Sequence, residues 1–97
     1  EIESIDMTGK KVALFGLGDQ ERYPDNFVDG IGILAEAFTK SNAELIGFMP
    51  VSDHHFTQSR AVKEGHFLGL PLDIENQSEQ TEERILKWVA KLKKEFQ

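Results

Sequence analysis

Residues 10–24 read KKVALFGLGDQERYP, and the fold turns on this stretch. Val12, Ala13, Leu14 and Phe15 form a continuous apolar run that does not alternate with polar residues. A short run of this kind suits a parallel strand buried on both faces, because a strand with one wet face would alternate. Gly16 to Pro24 follows as a glycine-containing loop. In open parallel α/β sheets, ligands bind beyond the carboxyl ends of the strands. Gly16 and Gly18 lack a Cβ, so the backbone there could approach a flat ligand closely. Tyr23 is the only tyrosine of the chain and lies in this loop. An aromatic face beside unengaged amides suits a planar heterocycle that is stacked and hydrogen-bonded on its rim. On generic physics alone, such a loop is more often a plain connection.

Outward from the loop, Phe27, Ile31, Leu34 and Phe38 recur at helical spacing, which predicts a helix over residues 25–40 with Asp25 or Asn26 as its N-cap. Gly30 and Gly32 weaken that helix, and their expected use is close packing on a neighbour. Residues 43–49, AELIGFM, predict a second buried strand that Pro50 stops. Strand, helix, strand makes a βαβ unit, with a right-handed crossover. Residues 51–65 read as irregular, anchored by Phe56, Ala61 and Val62. HFLGLPL, residues 66–72, is a third extended piece, and Pro71 assigns it to an edge. A polar loop then leads to a last helix capped by Thr81, with Ile85, Trp88, Val89, Leu92 and Phe96 as its apolar stripe. That stripe places Trp88 in the core. Acids before residue 84 and bases after it suit the helix dipole.

Composition sets the outer limits. The chain has 97 residues, 39% hydrophobic and 29% charged, a globular balance for one small domain or part of one. The absence of cysteine excludes disulfides and thiolate chemistry and fits a cytoplasmic protein. A net charge of -6 disfavours nucleic acid and anionic lipid and favours basic partners. No apolar run reaches the ~18 residues of a membrane span. His54 and His55 would point to opposite faces of an extended chain, so no metal site is read from them, and Asp53 beside His54 makes no catalytic triad. Glu21 stands where a third dinucleotide-binding glycine would be needed, so Gly16-Leu17-Gly18 is not that motif. The chain opens at Glu1 and holds two strong strands, of which the first reads as central. The expectation is therefore an incomplete sheet, finished by strands N-terminal to Glu1 or by a second copy in a homodimer.

GLGDQERYPDNF (16–27), FTQSRAV (56–62), HFLGLPLDIENQ (66–77) and TEERILKWVAKL (81–92) together resemble the C-terminal half of long-chain flavodoxins. The resemblance implies an α/β fold, a flavodoxin-like parallel sheet of order 2-1-3-4-5 with flanking helices. Residues 1–97 would be the C-terminal part of that single domain, supplying its strands 4 and 5, with residues 51–65 as the long-chain insertion. It implies non-covalently bound FMN and one-electron transfer between a reductase and an acceptor, without substrate turnover of its own. Tyr23 matches the tyrosine that stacks on the isoalloxazine ring. Gly18, Asp19 and Asn26 match loop positions whose backbone contacts the ring's pyrimidine edge, Asp29 matches an acid on the following helix, and Gly16 and Leu17, the latter where Thr or Cys is also common, complete the set expected at the cofactor. Arg22, beside Tyr23, stands where Gly or Asp is more usual, and would raise the flavin potential slightly if it faced the ring. Partners would be basic redox proteins such as a flavodoxin reductase, steered by Asp19, Glu21, Asp25 and Asp29. The family's phosphate loop is not in these 97 residues, so weak or no FMN binding is expected of this stretch alone. The alternative is a non-redox module that dimerises or pairs with a separate first half through its sheet edge.

Overall fold

The computed structural model describes residues 4–52 and 54–97, so Asp53 and residues 1–3 lie outside the described residues. The apolar run is one extended strand with a break at Leu14, giving β1 (Lys11–Ala13) and β2 (Phe15–Leu17). β1 pairs in parallel with β3 (Glu44–Ile46), and β2 pairs in parallel with β7 (Leu70–Leu72). Both partners lie along the same edge. The Lys10 carbonyl accepts from Glu44 N at 2.8 Å, the Leu14 carbonyl accepts from Leu70 N at 2.9 Å, and Gly18 N donates to the Leu72 carbonyl at 2.9 Å. Residues of one parity therefore face β3 and β7, since alternate residues of a strand turn their main-chain groups to opposite edges. The groups of Lys11, Ala13, Phe15 and Leu17 point to the other edge, which has no partner strand among the described residues. The molecule is an α/β fold whose parallel sheet is incomplete.

Side chains alternate just as strictly. Val12 and Leu14 point into a cluster with Phe27, Ile31, Ala35, Ala61 and Phe67. Ala13 points into a second cluster with Leu70, Leu72, Trp88 and Leu92. Burial of the strand on both faces is only half realised. Leu14 is 7% exposed, whereas Phe15 is 62% and Leu17 is 64% exposed. The cause is the position of α3 (Thr81–Glu95), which packs on β7 and meets Phe15 only through the edge of Trp88, at 6.4 Å between ring centroids. On α3 itself, Trp88 is buried, while Ile85, Val89 and Phe96 of the expected stripe are exposed.

Between β3 and β7 the chain leaves the parallel sheet. Gly47 turns it at φ 80°, and β4 (Met49–Pro50), β5 (Val62–Lys63) and β6 (His66–Phe67) form a 3-stranded antiparallel sheet in the order β4-β6-β5. Glu64 and Gly65, at φ 55° and 81°, make the two-residue hairpin turn between β5 and β6. The expected strands over 43–49 and 66–72 are thus each divided between two sheets, and part of the stretch expected to be irregular is strand. Gly69 permits the return. A Cβ there would lie 2.4 Å from the Leu14 carbonyl oxygen.

The helices also depart from expectation at their ends. α1 is Asp29–Lys40, shorter than residues 25–40. Its N-cap is Val28, at φ 47° and ψ 34° without a side-chain cap, in place of Asp25 or Asn26. Left-handed Val28 breaks the helical run immediately before Asp29. Gly32 does serve close packing, since its Cβ would meet the Arg60 carbonyl oxygen at 2.2 Å, but Gly30 faces open space. Residues 73–80, expected as loop, form α2 (Ile74–Gln77) and a 3-10 turn (Ser78–Gln80) that runs directly into α3. Thr81 is consequently the first helical residue rather than the cap. The acids Glu82 and Glu83 in the first turn of α3 and Lys93 and Lys94 in its last turn complement its dipole.

Candidate functional site

The loop from Gly18 to Val28 leaves the carboxyl end of β2 between β7 and α1 and is built on one side chain, Asp19. Asp19 Oδ1 accepts from Arg22 N at 2.9 Å and from Glu21 N at 3.2 Å, and the Asp19 carbonyl accepts from Tyr23 N at 2.8 Å. One acid therefore winds the chain into a turn that ends at Tyr23. Such side-chain-to-backbone bonds are what allow Asp to hold a loop. The hydrogen bond from Arg22 N, and next the one from the Asn76 side chain, hold the Asp19 carboxyl below the ordinary aspartate value. The Arg22 guanidinium lies 3.8 Å from Asp19 Oδ2, so its charge is partly matched within the loop.

The Tyr23 ring is 59% exposed. Among the described residues, the main-chain N–H groups of Asp19, Asp25, Phe27 and Val28 in this loop have no acceptor, and of these Phe27 and Val28 are buried. Val28 escaped the sequence reading. Its signal is conformational: a β-branched side chain in the left-handed region is an outlier, and such strain gathers at ligand-contacting loops. An exposed aromatic ring beside unengaged main-chain donors in one loop can take a flat heterocycle carrying rim acceptors.

Other sequence-predicted residues are placed differently. The missing side chains of Gly16 and Gly18 do not open the backbone to a ligand. A Cβ on Gly16 would meet Ile31 Cγ1 at 2.8 Å, and one on Gly18 would meet Val28 Cγ1 at 2.7 Å and the Phe27 ring at 2.9 Å. Both glycines make room for α1 and the residues leading into it. Leu17 is exposed at the end of β2, on the face that α3 leaves uncovered. Asn26 and Asp29 turn towards the segment over residues 56–62. Asn26 Nδ2 lies 3.4 Å from Asp29 Oδ2, while Asp29 Oδ1 accepts from Arg60 N at 2.8 Å. These two residues line an open groove of about 570 Å³ with Phe56, Ser59 and Arg60.

That segment straps the loop along its length. His55 N donates to Gln20 Oε1 at 2.6 Å, Thr57 N and Gln58 N both donate to the Pro24 carbonyl, and Ser59 Oγ donates to the Phe27 carbonyl. His54 is buried against Phe27 and Phe67, with His55 exposed beside it. Among the described residues, no group of three or more His, Cys, Asp or Glu could hold a metal ion, and no helix is long and apolar enough to cross a membrane.

No family model matches the chain. Individual proteins do. It is 46% identical over 96 residues to a flavodoxin of Nostoc sp. and 48% identical over 96 residues to one of Trichodesmium erythraeum, in each case 99% of this chain and 56% of the relative. A Klebsiella pneumoniae flavodoxin is 43% identical over 93 residues. The crystal structure of a Fusobacterium nucleatum flavodoxin bound to flavin mononucleotide superposes with a TM-score of 0.95 at 38% identity, covering 99% of this chain and 57% of that one. The chain spans a little over half the length of these relatives, as a C-terminal portion of a long-chain flavodoxin would. By sequence and by fold, the chain is a flavodoxin homologue, related across nearly the whole of its own length.

Proposed function

We propose that the full-length protein is a cytoplasmic, FMN-dependent one-electron carrier, and that these 97 residues supply one wall and part of the rim of its flavin site. The observation that carries this reading is the loop itself. It resembles the flavodoxin loop at Gly16, Gly18, Asp19, Gln20, Tyr23, Asp25, Asn26 and Phe27, and it combines exposed Tyr23 with the unengaged amide of Asp19. When bound, FMN supplies the electron-accepting and electron-donating chemistry. The chain's own residues bind and orient. Tyr23 would cover one ring face and exclude water from it. The Asp19 amide would donate to an acceptor on the ring's edge. Exposed Glu21, Asp25 and Glu75 around the loop would oppose added negative charge and steer basic partners. Anchoring of the phosphate would come from sequence outside this stretch.

The open edge of β1 and β2, with bare Phe15 and Leu17 beside it, supports pairing with the first half of the same domain. Residues 51–65, which contain the strapping segment, are proposed as the long-chain insertion. Reductive titration of the purified full-length protein tests the function. A yellow protein reduced in two separate one-electron steps is the expected result. A colourless protein that remains colourless with added FMN would favour the non-redox interaction module.

A further inference from the structure

Asp73 is 1% exposed, the one carboxylate in the buried set of the described residues. It follows β7 and caps α2, where its Oδ1 accepts from Asn76 N at 3.0 Å. Capping needs only that bond. A further bond runs to the loop more than fifty residues earlier in sequence: Asp73 Oδ2 accepts from Gln20 N at 2.9 Å. Asn76 Nδ2 lies 2.9 Å from Asp73 Oδ2 and 3.1 Å from Oδ1, and it also donates to Asp19 Oδ1 at 2.8 Å. Asp19 in turn holds Arg22 N and Tyr23 N. A continuous chain of hydrogen bonds thus runs from a buried acid at the end of β7 to the turn that carries Tyr23.

We propose that Asp73, acting through Asn76, is a positioning residue that fixes the Asp19–Tyr23 turn and thereby sets the protein's affinity for the flavin ring. The proposal rests on the flavin reading of Tyr23. A buried carboxylate with each oxygen engaged holds its partners in one geometry, because any displacement strands a desolvated donor or acceptor. Tyr23 is itself 59% exposed. Its placement depends on the turn beneath it.

The test is a double-mutant cycle in the full-length protein, with FMN affinity read from flavin fluorescence and thermal unfolding of the apoprotein followed in parallel. Tyr23→Ala and Asp73→Asn are each expected to weaken FMN binding by about tenfold. Together they should weaken it scarcely more than the worse single change, because the residues act as one unit. Asn76→Ala, which cuts the link to Asp19 and leaves the buried acid in place, should repeat the pattern and carries the cycle if Asp73→Asn does not fold. If Tyr23→Ala matters while Asp73→Asn and Asn76→Ala lower only the unfolding temperature, Asp73 is structural and the proposal is overturned, with the flavin reading intact. Losses that multiply in the double variant overturn it equally. If Tyr23→Ala leaves the affinity unchanged, the flavin reading falls and takes the proposal with it.

Discussion

The two faces of the strand over residues 11–17 are covered unequally. On the α1 face, Leu14 is buried with Phe27 and Ile31, and even the space of an absent Gly16 side chain is occupied by Ile31. On the α3 face, Ala13 is packed while Phe15 and Leu17 are left bare. The same strand carries both faces, and residues 12–17 are apolar or glycine, so the difference lies in what is available to cover it. The bare side coincides with the unpaired edge. The face and the edge are unfinished at the same place, and the Tyr23 loop lies at the end of that strand.

The largest expected effect is on the covered face. In the full-length protein, Phe27→Ala should cost about 3–5 kcal/mol by chemical denaturation, because a fully buried ring leaves a cavity. Phe15→Ala is the change that can break the comparison. If sequence outside these 97 residues covers that face, the cost rises towards about 3 kcal/mol. A cost below about 1 kcal/mol would mean that the face is bare in the whole protein too.

A smaller contrast lies within α1. Gly32→Ala should destabilise by about 1–3 kcal/mol, since its Cβ would strike the Arg60 carbonyl. Gly30→Ala, which meets nothing within 4 Å, should stabilise by up to about 1 kcal/mol through helix propensity. Thermal unfolding of the two variants should shift in opposite directions, and shifts of the same sign would mean that α1 does not press on the strapping segment.

The smallest effect separates polar from apolar cover. Burial pushes the Asp73 carboxyl up, but hydrogen bonds from the Asn76 side chain, from Gln20 N and from Asn76 N outweigh it and leave it below the ordinary value. A depressed folded-state value stabilises above the unfolded-state value, and that stabilisation is lost as pH falls through the folded-state one. The stability difference between wild type and Asp73→Asn should therefore be constant above about pH 5 and shrink below about pH 4. A difference independent of pH down to about pH 2 would remove Asp73 from the polar seam.

Much of this was legible from the residues. The unbroken run Val12–Phe15, the helical spacing of Ile31 and Phe38, and Trp88 on its stripe need only a period and a pattern of burial, and the quoted motifs carry the family. The path of the chain at Gly47 and Gly69 was not legible, because a glycine inside an apolar run reads alike whether the strand continues or turns away. Val28 was invisible for a related reason. Nothing in a β-branched residue announces a left-handed backbone, which the surrounding contacts impose. The buried role of Asp73 is masked by its polar neighbours, which read as a solvated loop until β7 carries the acid beneath residues 19 and 20.

The central claim, that the Tyr23 loop meets the ring of the flavin rather than its phosphate, is tested most directly by titrating FMN and riboflavin against the full-length protein and its Tyr23→Ala variant. The account predicts the same loss for both ligands, about tenfold, because both carry the isoalloxazine ring and only one carries the phosphate. Unchanged affinity for both, or a loss confined to FMN, would contradict it.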